Sequence, residues 1–321
     1  MGVLEWRKLG RVFDCDPSCL PPGCVGWAQS PQALVFPTFI RVFFSTRSQE
    51  GEGLYVSHVA SVDLDLALTR VLDASRRAVL GPASLGSFDE HGVFPMSVVR
   101  HGRDVWGYTT GWSRRVSVPV ETAIGLAVSH DDGRTFTRAG PGPVLAASLH
   151  EPFLVADGFV RVFGGLHHMW YIAGREWRRY VAGGPPERIY KIAHATSCDG
   201  LHWVDEGGVG LVPDKLGPDE CQALPCVVRL GDLYHMFFCY REPSRFRTDP
   251  ACSYRLGHAV SDDLSTWVRS GADVLPPGGP GEWDEEMQCY PHVFSCGRRA
   301  YLLYNGNEFG RHGFGAAVLE S

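Results

Sequence analysis

Glutamates recur at matching places in this chain of 321 residues, each shortly before a proline. Glu151 directly precedes Pro152, and three others stand five residues before a proline: Glu90, Glu220 and Glu286. If these carboxylates converge in one enclosed space, which we call the funnel, they repel each other. At neutral pH some of them must then be protonated, paired with cations or bound to a metal. We predict that Glu151, Glu220 and Glu286 share the acid, base and charge-stabilising roles of a catalytic site. For any single neighbouring acid, a turn cap or an arginine pair is the simpler interpretation.

Two histidines accompany these acids, since His91 follows Glu90 and His150 precedes Glu151. Imidazole is both a common metal ligand and a proton shuttle. We therefore predict Glu90 and His91 as candidate metal ligands. We also predict that His150 contacts the substrate together with Gln29, which occupies the corresponding polar segment WAQSP near the start of the chain. The alternative for His91 is a structural histidine.

A group of arginines follows the aromatic-rich segments, in STRS, GWSRRVSVP and YREPSRFR. The guanidinium group is a planar fork that suits the oxygens of a phosphate or carboxylate. As a group beside an acid-rich funnel they predict an anionic ligand, although surface solvation explains any one of them. The predicted substrate-binding arginines are Arg47, Arg114, Arg115, Arg241 and Arg245.

A repeated pattern predicts the elements that position these residues. It recurs around Pro31, Pro95, Pro152, Pro225 and Pro291, which by subtraction are 64, 57, 73 and 66 residues apart. An apolar strand and then an aromatic-rich strand follow each proline. A further unit of strand, Asp/Gly turn and aromatic strand begins at Ile124, Tyr190 and Tyr254. Four short strands in each of five units are typical of an all-β, five-bladed β-propeller, here one domain over residues 1–321.

The two ends of the chain complete this ring. The last unit stops after its third strand, GFGAAVLES, while LEWRKLGRVF near the start has the pattern of the missing fourth strand. We predict that the N-terminal strand closes the last blade, which removes open sheet edges. The first strand of each blade then lines a central channel, and the polar residues before the prolines meet at its entrance. A two-sheet sandwich is the competing architecture.

Composition excludes several classes of function. A net charge of −6, from 30 basic and 36 acidic residues without a basic run, argues against a nucleic-acid partner. No export signal or membrane span is evident, so we expect a cytoplasmic protein with no membrane partner. The fingerprints GxGxxG and GxxxxGK[ST] are absent, which argues against flavin or NAD bound in a Rossmann manner. The sequence leaves the oligomeric state open.

With blades and funnel acids in place, the sequence resembles the five-bladed propellers of carbohydrate-active enzymes, namely arabinanases, xylosidases and invertase-like glycosidases. The resemblance implies that Glu151 in HEP matches the general acid, and that Asp89 or Glu90 matches a supporting carboxylate. On the first blade these enzymes have an aspartate, where this chain has Gln29 and Ser30. Glycoside hydrolysis by either standard mechanism needs a second carboxylate, so this departure argues against it.

A narrower resemblance rests on the motifs GWAQSPQALVF, FDEHGVFPM, GWSRRVSVP, LHEPF, DECQALP and YNGNEFG. These are similar to the flavin-independent, divalent-metal-dependent GDP-L-galactose mutases of antibiotic and polysaccharide sugar pathways. The resemblance implies an isomerase that interconverts pyranose and furanose forms of a GDP-sugar, with a small-molecule nucleotide sugar as its partner. It also implies a divalent metal, Mn or Mg, which we predict Glu90 and His91 to hold. Two alternatives stay open: an intracellular glycoside hydrolase, and a propeller that binds carbohydrate without catalysis.

Overall fold

Five four-stranded antiparallel sheets, the blades, form the protein. The computed structural model describes residues 4–205 and 210–320, so the predicted domain limits at residues 1 and 321 lie outside the described part of the chain. The innermost strand of each blade contacts the innermost strands of the blades on both sides, and the fifth contacts the first. The predicted five-bladed β-propeller is therefore confirmed.

The strands follow the same order in every blade, from the central channel outward. Blades one and two consist of β2 (Cys24–Val35), β3 (Ile40–Gly51), β4 (Leu54–Leu64) and β5 (Val71–Ala74), then β6 (Val93–His101), β7 (Asp104–Arg114), β8 (Val120–Ser129) and β9 (Thr137–Arg138). Blades three and four consist of β10 (Val155–Phe163), β11 (Leu166–Arg178), β12 (Glu187–Ser197) and β13 (Val204–Asp205), then β14 (Cys221–Leu230), β15 (Leu233–Arg241), β16 (Arg255–Ser261) and β17 (Val268–Arg269). Blade five consists of β18 (Cys289–Cys296), β19 (Arg299–Asn305), β20 (Gly313–Leu319) and β1 (Trp6–Asp14).

Helical structure is limited to short connections. Two 3₁₀ turns occupy Pro17–Cys19 and Pro250–Cys252, and one helical turn, α1, occupies Asn307–Gly310. In the described ranges, no helix has the length and apolar character needed to cross a membrane.

The N-terminal strand closes the ring as predicted. β1 runs antiparallel to β20, with Trp6 opposite Leu319. The Trp6 indole meets the Phe237 ring edge to face at 5.7 Å, which ties the closing strand to blade four. Because the fifth blade contacts the first, each innermost strand is flanked by the innermost strands of two other blades, and the channel wall is continuous.

Aromatic and aliphatic side chains fill the space between neighbouring blades. Trp170, Phe43, Phe44, Phe237 and Phe238 are all at most 2% exposed. Each such ring contributes roughly 2–3 kcal/mol of transfer free energy on burial. The aromatic-rich second strands therefore supply the core, and the same strands lead to the channel entrance.

A β-bulge interrupts the inner strand of every blade at the same level. The bulge pairs are Ser30–Pro31, Phe94–Pro95, Asp157–Gly158, Leu224–Pro225 and Tyr290–Pro291. In blade three the second bulge residue is therefore Gly158. Pro152, predicted from the sequence to be the recurring proline of this blade, lies ahead of β10. Proline lacks the ladder N–H and glycine relaxes backbone sterics, so either residue can follow the bulged position. With Gly158 in place of Pro152, the spacings by subtraction become 64, 63, 67 and 66 residues.

Candidate active site

A cavity of about 480 Å³ lies on the propeller axis. All five inner strands contribute to its wall, through Gln29, Phe94, Asp157, Ala223 and Tyr290. Each of these inner-strand residues belongs to a bulge pair or adjoins one, and Asp157 is itself a bulge residue. The shared irregularity thus turns side chains from all five blades toward one space, because a bulge re-aims the residues around it.

Asp157 supplies the carboxylate of this cavity. Among the described residues that line it, no other Asp or Glu occurs. The Asp157 backbone N–H donates to Thr110 Oγ1 at 2.7 Å, and its carboxylate accepts from the Leu224 N–H at 3.4 Å. Burial raises the pKa of Asp157 to about 6, an effect partly offset by the positive charge of Arg188 and by the Leu224 hydrogen bond. A carboxyl group with this pKa is suited to general acid–base chemistry near neutral pH.

Arginines dominate the rest of the polar wall, and each of them lies over an aromatic ring. From guanidinium carbon to ring centroid the distances are 4.8 Å for Arg47 over Trp27, 5.6 Å for Arg114 over Trp112, 5.8 Å for Arg188 over Tyr190, 3.6 Å for Arg241 over Phe246 and 4.1 Å for Arg247 over Phe246. Stacking fixes the plane of a guanidinium group and leaves its N–H edge for an in-plane partner. The cavity therefore presents several oriented forks for an anion.

Three of these arginines, Arg47, Arg188 and Arg241, form no ion pair with any described residue. Arg241 is 2% exposed; its Nη1 donates to the Glu242 and Pro243 carbonyl oxygens at 2.7 and 3.2 Å, and its Nε has no partner among the described residues. Burial lowers the pKa of the Arg47 guanidinium. Arg241 is thus a buried cation without a carboxylate counter-ion, which is unfavourable, whereas Arg47 and Arg188 are partly exposed; the wall therefore favours an anionic ligand at Arg241.

Two buried tyrosines complete the anion-binding wall. The Tyr190 and Tyr254 hydroxyls lie 2.6 Å apart, and the Arg241 guanidinium lies over both rings at 5.3 and 5.5 Å. Burial raises the pKa of Tyr190 and Tyr254, so both phenols stay protonated at neutral pH. Protonated phenols are hydrogen-bond donors, and here they adjoin the Arg241 fork.

The predicted substrate-binding residues divide into two groups. Gln29, Arg47, Arg114 and Arg241 line the cavity. The other three lie outside it: Arg115 forms an exposed ion pair with Glu121, Arg245 forms one with Asp249 at 3.3 Å, and His150 is exposed. Arg115 and Arg245 follow β7 and β15, and His150 precedes β10, so all three lie in connecting loops.

The glutamates predicted to meet in the funnel do not line the cavity. Glu220 instead forms an ion pair with Arg269 at 2.6 Å and accepts the Lys215 and Leu216 backbone N–H groups at 2.9 Å. The same arrangement joins an acid ahead of the inner strand to the outermost strand in two other blades, as Asp89–Arg138 and Asp284–Lys8, both at 2.7 Å. These acids tie the inner edge of a blade to its outer strand, which corrects the predicted convergence.

Glu151 occupies the same place in blade three, where the outermost strand has Asp205 instead of a cation. The Tyr171 hydroxyl lies 2.9 and 3.0 Å from the two Glu151 carboxylate oxygens, and burial raises the pKa of Glu151. Glu151 is 3% exposed and does not line the cavity. Glu286 is exposed at the rim, where it lines a separate recess.

The predicted metal pair, Glu90 and His91, does not fit a divalent cation. Glu90 Oε2 accepts the Gly86 backbone N–H at 2.7 Å, and His91 Nδ1 accepts the Arg114 N–H at 3.4 Å. The two side chains approach each other to 3.4 Å, and each is already engaged in a hydrogen bond. Within residues 4–205 and 210–320, no group of three or more His, Cys, Asp or Glu side chains is arranged to hold a metal ion.

Sequence reasoning missed Asp157, Arg188 and the role of the tyrosines. A signal for Asp157 exists, since Asp–Gly in VADGF falls in register with the X–Pro pairs of the other blades. Arg188 has no such signal, because its place in the cavity depends on how β12 follows a loop of variable length.

Comparisons with known proteins agree with this fold. Protein Rv1502 of Mycobacterium tuberculosis, described as uncharacterized, is 36% identical over 325 residues, covering 99% of this chain and 100% of that protein; MT1551 from a second strain matches equally. A glycosyl hydrolase from Bacteroides ovatus superposes with a TM-score of 0.71 at 14% identity, over 99% of this chain and 94% of that one. No protein-family model matches the sequence.

Further solved structures share the fold at similarly low identity. β-1,2-Mannobiose phosphorylase from Listeria innocua has a TM-score of 0.69 at 11% identity, over 100% of this chain and 97% of that one. A protein described as a glycoside hydrolase has a TM-score of 0.73 at 16% identity, over 99% and 92% of the two chains. The chain therefore belongs to the family of the Mycobacterium tuberculosis protein Rv1502, and its fold is the five-bladed propeller also found in glycoside hydrolases.

Proposed function

We propose that this protein is a sugar-active enzyme that transfers a glycosyl group to or from phosphate in the central cavity. One observation carries the proposal. The cavity wall contains one buried carboxyl group, Asp157, and three arginines, Arg47, Arg188 and Arg241, that form no ion pair within 4 Å among the described residues. Such a wall offers one proton donor and a site for one anion.

The number of carboxylates favours phosphate over water as the attacking group. Glycoside hydrolysis uses two carboxylates, one as acid and one as base or nucleophile. The described residues of the cavity wall supply Asp157 alone. Phosphate is already an anion at neutral pH, so it needs positioning by cations but no general base.

The roles of the residues follow from this geometry. As the bond from C1 of the sugar to the leaving oxygen breaks, the Asp157 proton passes to that oxygen. A phosphate oxygen, held by Arg188 and Arg241, forms the new bond to C1. The proton of hydrogenphosphate then returns to the Asp157 carboxylate, so the products are a sugar 1-phosphate and an alcohol. Because one hydroxyl of the Tyr190–Tyr254 pair donates to the other, one phenol proton is left to donate to the bound anion.

The comparison with β-1,2-mannobiose phosphorylase supports this class of reaction, because a propeller of this shape accommodates a phosphorylase. The glycoside hydrolases with the same fold support a sugar as the second ligand. At these identities the likeness concerns the fold, so phosphate is inferred from the arginines of this chain.

A nucleotide-sugar mutase is the second candidate, since the same arginines suit the diphosphate of a GDP-sugar. Contraction of a sugar ring at C1 would also use Asp157 as an acid–base group. The mutase prediction included a divalent metal held by Glu90 and His91. Because this pair does not fit such a metal, no step is assigned to one.

One experiment separates these reactions. Purified protein is incubated with sugar 1-phosphates of gluco, galacto and manno configuration, each with neutral acceptor sugars, and release of inorganic phosphate is measured. Parallel reactions contain GDP-sugars, with furanose products resolved by chromatography. Phosphate release that Asp157→Asn abolishes supports the proposal. Isomerised GDP-sugar without phosphate release favours the mutase, and sugar release from a glycoside without phosphate favours a hydrolase.

A further inference from the structure

A second recess of about 400 Å³ opens at the rim beside the central cavity. Both spaces share four lining residues, Arg47, Phe246, Arg247 and Phe309. The recess therefore adjoins the central cavity at these four residues. What the recess binds depends on the chemistry of the residues it does not share.

Carboxylates give the recess an acidic character that the central cavity lacks. Asp249, Glu286 and Glu308 all line it. Asp249 caps the Ala251 N–H at 3.0 Å, and Glu308 pairs with Arg311 at 2.9 Å. The Glu286 carboxylate forms no hydrogen bond or ion pair with the residues that the structure describes, so it is available to a ligand. Arg47 and Arg247 also line the recess, and Asp249 and Glu308 are paired with arginines, so Glu286 is the carboxylate whose charge disfavours a second phosphate beside it.

Ser253 provides an independent sign of a missing ligand. It is 6% exposed, it lines the recess, and its Oγ has no hydrogen-bond partner in the described part of the chain. Buried hydroxyl groups are normally satisfied. Together, Glu286 accepts hydrogen bonds, Arg47 donates them, and Ser253 does both. A ligand that matches all three carries several hydroxyl groups, because a hydroxyl both donates and accepts.

The aromatic rings of the recess argue against a nucleotide base. Arg47 and Arg311 lie over Trp27 at 4.8 and 5.6 Å, and Arg241 and Arg247 lie over Phe246 at 3.6 and 4.1 Å. These rings already serve to hold guanidinium groups. Met287 and Phe309 remain as an apolar surface for the C–H face of a sugar ring.

We propose that the rim recess is the subsite for a neutral sugar, the group released or accepted when phosphate reacts in the central cavity. The inference rests on the proposed function, because it takes the cavity as the site of phosphate and of the transferred sugar. It makes the natural substrate a glycoside of at least two sugar units, with the outer unit held by Glu286, Ser253 and Arg47.

Met287 allows a test that does not need activity. The chain has five methionines; Met287 lines the recess, whereas Met96, Met169 and Met236 are buried and do not line it. In protein labelled with [¹³C-methyl]methionine, neutral disaccharides of gluco, galacto and manno configuration should shift the Met287 signal and leave those three unchanged. Met287→Leu identifies the signal. Inorganic phosphate alone should bind, by calorimetry, without the disaccharide.

Variants then assign the contacts. Glu286→Gln should weaken the disaccharide response about tenfold, and Ser253→Ala several-fold, while phosphate affinity stays unchanged. Asp232→Asn removes one exposed carboxylate from a turn outside the recess and serves as the matched control. If phosphate binds but no disaccharide moves Met287, or if Glu286→Gln binds disaccharide like wild type, the subsite is refuted. If phosphate itself fails to bind, the proposed function fails instead.

Discussion

The Asp157 carboxylate on blade three accepts a hydrogen bond from the Leu224 backbone N–H on blade four, at 3.4 Å. Both residues are the first members of their bulge pairs, and both have a left-handed φ, 57° and 48°. One bulge thus presents the acid while the next bulge presents an N–H to hold it. The orientation of the proposed catalytic acid is consequently set by a backbone feature that the blades share.

Replacement of Asp157 should stop the reaction without unfolding the protein. Asp157→Asn retains an acceptor for the Leu224 N–H but loses the proton donor, so turnover should fall roughly 10²–10⁴-fold. The melting temperature should not fall, because the change removes a desolvated carboxylate. Phosphate release and thermal denaturation measure the two effects. Normal turnover in Asp157→Asn would remove Asp157 from the mechanism.

The pH dependence of kcat/KM should follow the protonated fraction of Asp157. Because burial raises the pKa of Asp157 to about 6, the acid form is depleted as pH rises above that value. We expect kcat/KM for glycoside cleavage to fall about tenfold for each pH unit well above about pH 6. A profile that rises through this range would show that Asp157 acts as a base in the rate-limiting step.

Phosphate should stabilise the protein through Arg241. At a phosphate concentration of about 100 times Kd, binding to the folded state alone adds about 2.7 kcal/mol to the free energy of unfolding. Arg241→Met should abolish this gain, because the variant lacks the buried fork. Sodium chloride of equal ionic strength controls for general salt effects in the calorimetric scan. Equal stabilisation of both proteins by phosphate would place the anion elsewhere.

Glu220 should matter for stability and not for chemistry. Glu220→Gln leaves the buried Arg269 without its ion-pair partner, which should cost roughly 3–5 kcal/mol of unfolding free energy. Glu286→Gln, at an exposed site without a partner among the described residues, is the matched control and should leave stability unchanged. Urea denaturation measures both. A Glu220→Gln protein with wild-type stability would contradict the structural role of the blade ion pairs.

Two stacked histidines in blade four should make the fold sensitive to acid. His235 Nδ1 lies 2.9 Å from His258 Nε2, and burial lowers the pKa of His235 and brings that of His258 to about 4. In the unfolded chain, His258 takes up a proton near the ordinary histidine pKa, about 6.5. In the folded protein it takes up a proton only near pH 4. Stability is therefore present at higher pH and lost as pH falls through this window. For His258 alone the loss between about pH 7 and pH 5 should be about 2 kcal/mol.

Urea denaturation at the two pH values measures this effect. His258→Phe should reduce the difference between them, while the exposed His150→Gln should not. An identical pH dependence in His258→Phe and wild type would show that His258 is not the residue that senses acid.

The five-fold repeat and the closing strand could be predicted from the sequence, because they depend on local residue patterns. Alternation of apolar and polar residues, turn residues between strands and prolines at bulges recur at a regular interval, as the 64 residues from Pro31 to Pro95 illustrate. Trp6 at the aromatic position of an orphan strand was enough to predict closure on blade five. These features follow from backbone sterics and from the burial of one sheet face, which act over a few residues.

Only the tertiary structure decided which polar side chains share the central cavity. Glu220 finds its partner in Arg269, 49 positions along the chain, and this pairing removes Glu220 from the cavity wall. Asp157 reaches the axis because its bulge matches four others in space, although a glycine stands where the rest have proline. Propeller blades bring residues together by rotation about a common axis, so the distance between two side chains there does not depend on their separation in sequence.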